Sequence, residues 1–300
     1  MVNNKSDASI IIPVYNTREL VKKNLPYVIA AKNYKGNRIK EIIIVDDASP
    51  DYGAQMVKNE FREVKLIQHK VNRGFSASVN TGARASKGDF IVLLNSDVIP
   101  DKDFLLSIYK HFKNPNVFSI SFHERGYTWA KGEFSQGYVE HRQGDSNNKT
   151  HETFWVNGGS AIYRRDYWME LGGMDEKLLG PFYWEDIDLC YRAAKRGLLN
   201  LWEPKAYVTH KHETTMSQLP KVYVNRIRER NQLLFIWKNI TSPNLFRKHL
   251  IGLATRVAKH PGYLRIVVMA LARGKLMLKA RYKEKKESKI SDEAIFAKFT

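Results

Sequence analysis

Cysteine occurs once in the 300 residues, at Cys190. That excludes an internal disulfide framework and a cysteine-rich metal site, and it fits a reducing compartment. Long apolar runs are missing as well. In the most apolar part of the C-terminal region the longest uncharged stretch is Ile266 to Ala272, far short of the ~20 residues a membrane-spanning helix needs. Met1 to Ser9 lacks the basic-then-apolar pattern of a secretory leader, so a cytoplasmic location is expected. There is no internal repeat and no low-complexity segment. What is present, 43% hydrophobic and 12% aromatic residues, is enough to bury a full core as one large domain or one domain with an appendage.

Acidic residues thin out toward the C-terminus. Residues 1–225 carry 31 Lys and Arg against 26 Asp and Glu, a balance of +5, whereas residues 226–300 carry 18 against 5, a balance of +13. The expected organisation is therefore a nearly neutral catalytic body over 1–225 and a basic helical extension over 226–300. Such an extension faces anionic lipid, nucleic acid or acidic protein. No RNA- or DNA-binding motif accompanies the charge, so no nucleic-acid partner is expected. Leu264, Val267, Val268, Leu271 and Leu278 fall close to one helical face, bordered by Arg265, Arg273, Lys275, Lys279 and Arg281. That is the composition of an interfacial helix, and the stretch from about Ser242 to Lys286 is expected to dock on an anionic membrane surface. A helical pair packed on the body with a solvated basic face is the competing reading.

The first half alternates β-branched runs with helical patterns, the signature of a mostly parallel sheet covered by crossover helices. Ser9 to Val14, Glu41 to Val45, Val64 to Gln68 and Phe90 to Leu94 read as buried strands. Asn16 with Glu19 resembles a capping box. Phe75, Val79 and Gly82 share a helix face, with Gly88 as the stop. Pro100, Asp101 and Asp103 open a helix with Phe104, Leu105, Ile108 and Phe112 inward. Residues 123–152 read as a long loop, more often functional than idle at that length. A helix over Asp186 to Arg196 has Ile187, Tyr191 and Ala194 inward, with Lys195 and Arg196 complementing its dipole. A last strand, Ala206 to Thr209, ends at His210.

Open α/β sheets bind ligands beyond the carboxyl ends of their strands. Polar groups stand there four times: Tyr15 and Asn16 after the first strand, Asp46, Asp47 and Ser49 after the second, Asn72, Arg73 and Gly74 after the third, and Asn95, Ser96 and Asp97 after the fourth. One cluster alone is explained by helix capping or a turn; four on one edge are not.

The ordered series SIIIPVYN, IIIVDDAS, NRGFSASVNTG, LLNSD, NGGSAIYRRDYW, GGMDE and WEDIDLCYRAAKRG resembles family 2 glycosyltransferases of the GT-A fold, with the strongest likeness to the rhamnosyltransferase-like branch. The likeness spans about Ser9 to His212. It implies a Rossmann-like nucleotide-binding sheet that moves a sugar from a nucleotide diphosphate donor to a hydroxyl of a glycan or lipid-linked acceptor with inversion, using Mn2+ or Mg2+, in cell-surface polysaccharide synthesis. By the same resemblance Pro13, Tyr15 and Asp47 bind the donor's base, with Asp47 accepting its imide N–H, which favours uridine or thymidine. Arg73 lies near the diphosphate. Asn95-Ser96-Asp97 takes the place of the family's D-x-D motif, departing from it at Asn95, with Asp97 as a metal ligand. Asp186 is the general base. Trp184, Glu185, Gly158 and Gly159 border the acceptor, and Phe182, Tyr183 and Trp184 offer aromatic faces beside the carboxylate. His210 completes the metal site, with His212 as its rival two residues on. A sugar-nucleotide nucleotidyltransferase is the sister reading, but PVYNTREL is not the Gly- and Arg-rich loop that class carries after its first strand.

Overall fold

The computed structural model describes residues 6–145, 147–210 and 219–299. In chain order the first half runs β1 (Ala8–Val14), α1 (Arg18–Asn33), β2 (Ile39–Asp46), α2 (Gly53–Glu60), β3 (Lys65–Gln68), α3 (Phe75–Ala85), β4 (Phe90–Leu94), β5 (Val98–Pro100) and β6 (Val117–Glu124). The aliphatic runs of β1, β2 and β4 are buried on both faces, which is why they lack the polar alternation of a half-exposed strand. β3, β2, β1 and β4 lie side by side and parallel. The connecting helices bury Val21, Leu25 and Val28 on one side of the sheet and Val79 and Ala83 on the other.

The second half continues with β7 (Ala130–Ser135), β8 (Tyr138–Gln143), β9 (His151–Glu152), β10 (Ser160–Arg164), α4 (Arg165–Leu171), α5 (Glu185–Lys195) and β11 (Leu199–His210). β10 inserts antiparallel between β4 and β6, β11 runs parallel to β6, and β5 closes the far edge against β11. The order β3-β2-β1-β4-β10-β6-β11-β5 places the carboxyl ends of β1, β2, β4, β6 and β11 along one edge, and the site is built there.

Several expectations need correction. Phe104, Leu105, Ile108 and Phe112 are buried as expected, but the segment after Pro100 is a chain of turns with i to i+3 hydrogen bonds, not an α-helix. Asn37 is the cause: its side chain donates to Lys102 O and accepts from Leu105 N–H, taking main-chain groups that an α-helix would use itself. Asn16 makes no cap for α1; Asp51 reaches back to accept the Arg18 N–H at 2.7 Å. Residues 123–152 hold the β7–β8 hairpin and β9. Lys195 is not a solvated charge at the end of α5 but is buried against Asp292 at 2.7 Å. Arg196 pairs with Glu284 at 2.7 Å and with Glu287.

Five helices follow: α6 (Lys221–Asn239), α7 (Pro243–Lys259), α8 (Leu264–Leu271), α9 (Gly274–Glu287) and α10 (Asp292–Phe296). α6 runs unbroken across residues 225 and 226. Leu233, Leu234, Phe235 and Ile236 pack with Trp184, Ile187 and Tyr191 of the α5 region and with Tyr138 and Val139 of the hairpin. A buried ionic knot fixes the junction. Asp188 accepts from Arg192 at 2.8 Å, Lys238 at 2.9 Å and Asn239 at 2.8 Å. Asp292 accepts from Lys195, the Tyr191 hydroxyl and the main-chain N–H of Thr241 and Ser242.

Candidate active site

A cavity of about 370 Å³ opens at the carboxyl edge, lined by Pro13, Tyr15, Asp47, Asn95, Ser96 and Asp97, with Phe182 and Tyr223 on the facing wall. The sheet therefore brings together six of the residues expected to bind donor or metal. Asp47 has a duty the sequence did not reveal. Its carboxylate accepts from His69 Nδ1 at 2.7 Å, Gly74 N–H at 2.7 Å and Arg73 N–H at 2.9 and 3.1 Å. Three donors thus fix this carboxylate, the Arg73 N–H shared between its two oxygens, and through them it holds the 73–74 loop. The Arg73 guanidinium turns to Glu176 at 3.1 Å and is not part of the cavity wall.

Asp97 is buried, and its Oδ2 has no hydrogen-bond partner among the described residues. His210, the last residue of β11, stands between two carboxylates: Nε2 is 3.2 Å from Asp97 Oδ1 and Nδ1 is 3.1 Å from Glu124 Oε2. Burial alone would lower the imidazole's pKa, but the hydrogen bonds to Asp97 and Glu124 outweigh it and lift the value to about 9. The spot thus stabilises positive charge and keeps one carboxylate oxygen in reserve. Those features fit a hard divalent cation held by Asp97 and a deprotonated His210. Among the described residues no group of three or more His, Cys, Asp and Glu forms a ready cage, so the remaining ligands would be oxygens from outside the chain, as phosphates supply. His212 lies outside the described residues.

Glu124 was missed. It ends β6 on the same edge, accepts from Asn157 Nδ2 at 2.7 Å and from the Ser160 hydroxyl, and orients His210. Its signal was visible in FSISFHE, a strand closed by a carboxylate.

Asp186 opens α5 with a partly accessible side chain that accepts from Ile187 N–H at 2.8 Å and Gly158 N–H at 3.2 Å. Burial raises its pKa to about 6 despite these bonds. Burial, reinforced by the Asp186 charge, pushes the neighbouring Glu185 well above the usual carboxylate range. The two glycines explain how Asp186 and the 95–97 turn meet on one backbone. A Cβ on Gly158 would sit 3.2 Å from Asp186 Cβ, and one on Gly159 only 2.3 Å from Asn95 Nδ2; Gly159 O also accepts from Asn95 N–H at 2.8 Å. Only residues without a side chain let α5 and the 95–97 turn approach one backbone from two sides.

Two acceptor expectations fail. Trp184 is buried, with its ring 5.0 Å from that of Phe235, and Glu185 is buried beside it. Tyr183 and Trp184 take left-handed φ values of 69° and 74°, which rotates the tryptophan into the core while leaving Phe182 on the cavity. That unfavourable backbone is held from the C-terminal helices. Asn231 donates to the carbonyls of Leu179, Phe182 and Tyr183, Arg230 to Gly180, and Arg273 to Lys177, Leu178 and Gly180. Arg281 likewise donates inward, to Trp237 and Ile240, so neither Arg273 nor Arg281 borders a free surface as expected.

Residues 9–172 match the model of glycosyl transferase family 2. The chain is 27% identical over 220 residues to the pre-mycofactocin glycosyltransferase of Mycobacterium tuberculosis, covering 70% of this chain and 44% of that protein. It is 31% identical over 111 residues to a poly-beta-1,6-N-acetyl-D-glucosamine synthase of Staphylococcus aureus, covering 35% and 25%. The chain thus spans less than half the length of these curated relatives, and neither is named a rhamnosyltransferase, so the branch expected from the sequence is not what they identify. Among solved structures, GalNAc-T7 with UDP, GalNAc and Mn2+ superposes at a TM-score of 0.67 with 14% identity, covering 86% of this chain and 58% of that one. The Pyrobaculum calidifontis mannosyltransferase with GDP-Man and Mn2+ superposes at 0.57 with 17% identity, covering 98% and 86%. The fold is GT-A, and the chain belongs to glycosyl transferase family 2.

Proposed function

We propose that this protein is an inverting, metal-dependent glycosyltransferase that moves a sugar from a UDP- or dTDP-sugar to a hydroxyl of a glycan or lipid-linked acceptor in cell-surface polysaccharide synthesis. The observation that carries this reading is the placement of Asp186. A carboxylate with its pKa at about 6 is fastened to the same Gly158-Gly159 segment that abuts the Asn95-Ser96-Asp97 turn. The base and the donor cavity are thereby fixed relative to each other through one short piece of backbone.

Tyr15 and Pro13 shape the base end of the cavity, with Asp47 holding the 73–74 loop that borders it. Asp97 and His210 would hold Mn2+ or Mg2+, which when bound neutralises charge on the departing diphosphate. The acceptor oxygen attacks the anomeric carbon from the side opposite the leaving group while its proton passes to Asp186, so the configuration inverts. The reading is tested by calorimetry of UDP with Mn2+. Asp97→Ala and His210→Ala are each expected to weaken metal-dependent nucleotide binding by about tenfold or more, while metal-free binding stays the same. Unchanged affinity in both variants would remove the metal from this site.

The C-terminal helices add a membrane-docking face to the proposal. No helix among the described residues is long and apolar enough to cross a membrane. Yet Leu264, Val268 and Leu271 lie exposed along α8, with Leu278 exposed on α9. Arg265, Lys275 and Lys279 are exposed nearby. Each basic side chain at an anionic surface contributes about 1 kcal/mol. Co-sedimentation with phosphatidylserine vesicles is expected at low salt, to weaken as salt rises, and to be lost in Leu264→Glu/Val268→Glu/Leu271→Glu. Equal binding by this variant would leave the face without a role.

A further inference from the structure

A second cavity, of about 400 Å³, lies between the β7–β8 hairpin and the ends of β6 and β11, walled by Trp129, Trp155, Trp202, Tyr127 and Arg142 with Asn157 at its inner side. Its size falls in the ~300–1,000 Å³ range of small-ligand sites. We propose that this cavity is the acceptor subsite and receives a pyranose ring of a carbohydrate acceptor. The proposal rests on the glycosyl-transfer reading given above and relocates the acceptor from Trp184, which the core has taken, to the hairpin.

Three observations point to it. The first is position: Asn157 immediately precedes Gly158, whose N–H donates to Asp186, so the cavity adjoins the backbone that anchors the base. The donor residues Tyr15, Asn95 and Asp97 line the other cavity and not this one. The second is chemistry. Aromatic surface with a few hydrogen-bonding groups matches a sugar ring, whose C–H faces pack on aromatic rings while its hydroxyls need donors and acceptors. The third is rigidity. Trp129 stacks on His151 with ring centroids 4.7 Å apart and planes at 5°, and its indole N–H donates to Asp145 O at 3.0 Å. A Cβ on Gly144 would lie only 2.2 Å from that ring, so the wall is shaped before any ligand arrives.

Saturation-transfer NMR on the full chain tests this with UDP, Mn2+ and millimolar methyl glycosides of glucose, galactose, mannose and N-acetylglucosamine. At least one glycoside is expected to receive saturation from the wild-type protein. Its affinity should drop about tenfold in Trp129→Ala and in Trp155→Ala, each of which removes one aromatic wall of the cavity. The UDP signal should persist in both, confirming that they fold and bind donor. Wild-type protein that gives signal from no glycoside, or variants that bind glycoside as tightly as wild type, would overturn the assignment. Glycoside signals that behave as expected in a protein giving no UDP signal would instead uphold this subsite and overturn the donor reading.

Discussion

Asp186→Asn is expected to lower kcat for glycosyl transfer by ~10²–10⁴-fold, the range a general base contributes, while the affinity for UDP with Mn2+ stays unchanged. The substitution is nearly isosteric, but the carboxylate accepts from Ile187 through Oδ1 and from Gly158 through Oδ2, so the amide keeps one of these bonds and gives up the other together with the proton acceptor. The pH dependence follows from the raised pKa of about 6. Catalysis needs the deprotonated carboxylate, so the wild-type rate should fall about tenfold per unit below pH 6 and level off above it, and that acid limb should vanish in the variant. Stability should move the other way. A carboxyl whose folded pKa lies above its unfolded value favours the folded state when protonated and weakens it once pH rises through the unfolded and folded values. Asn cannot ionise, so the melting-point difference should shift in the variant's favour as pH rises from about 4 to about 8. Loss of activity together with loss of UDP affinity would mean the residue is structural. Product of the wild-type reaction, followed by NMR, should carry the inverted anomeric configuration.

Asp188→Ala is expected to destabilise the fold by about 3–5 kcal/mol, the usual effect of breaking a buried pair and leaving its partner charged and unpaired. Here two buried cations lose this partner: Arg192 is left with the carbonyls of Leu171 and Gly173 and no paired carboxylate, while Lys238 keeps Asp175 at 2.8 Å. Burial by itself would raise the Asp188 pKa, but Lys238, Arg192 and the Asn239 amide outweigh it and hold the value down at about 2. The contribution to stability is therefore fully present above the unfolded value near 4 and is lost as pH falls through about 2. Urea denaturation at pH 7 and pH 3 measures both effects. The variant should lose most at pH 7, and the gap from wild type should narrow only in strong acid. A change below about 1 kcal/mol at pH 7 would show that water reaches Arg192 and Lys238.

The strands were legible because uninterrupted runs such as SIIIPV and FIVLL leave no polar face for solvent, and the residues closing them marked the site edge before any coordinate was known. The same rule, stopped at the fourth strand, passed over Glu124 at the end of the sixth. The hairpin stayed hidden because AKGEFS and YVEHRQ expose much of both strands and bury chiefly Tyr138 and Val139, too little for a periodic signal. The segment after Pro100 carried a sound helical pattern, and a single distant amide, Asn37, decided otherwise. Trp184 misled for a related reason: its neighbours in sequence are the site, but two left-handed residues and the facing Phe235 set its direction. Contacts such as Asn231 to Tyr183 or Lys195 to Asp292 join residues 48 and 97 positions apart, and no local pattern announces such pairs.

The loop that carries Phe182 is gripped by its main-chain carbonyls as well as by the buried side chains of Leu178 and Leu179. Asn231, Arg230 and Arg273 take hold of Lys177, Leu178, Leu179, Gly180, Phe182 and Tyr183 without touching a side chain. A carbonyl is the same whichever residue bears it. A substitution at Phe182 that spares its ring contact with Tyr223 therefore leaves these carbonyl contacts and the position of Asp186 in place. A change at Asn231 or Arg273, by contrast, releases several carbonyls of the loop at once, whatever side chains it carries.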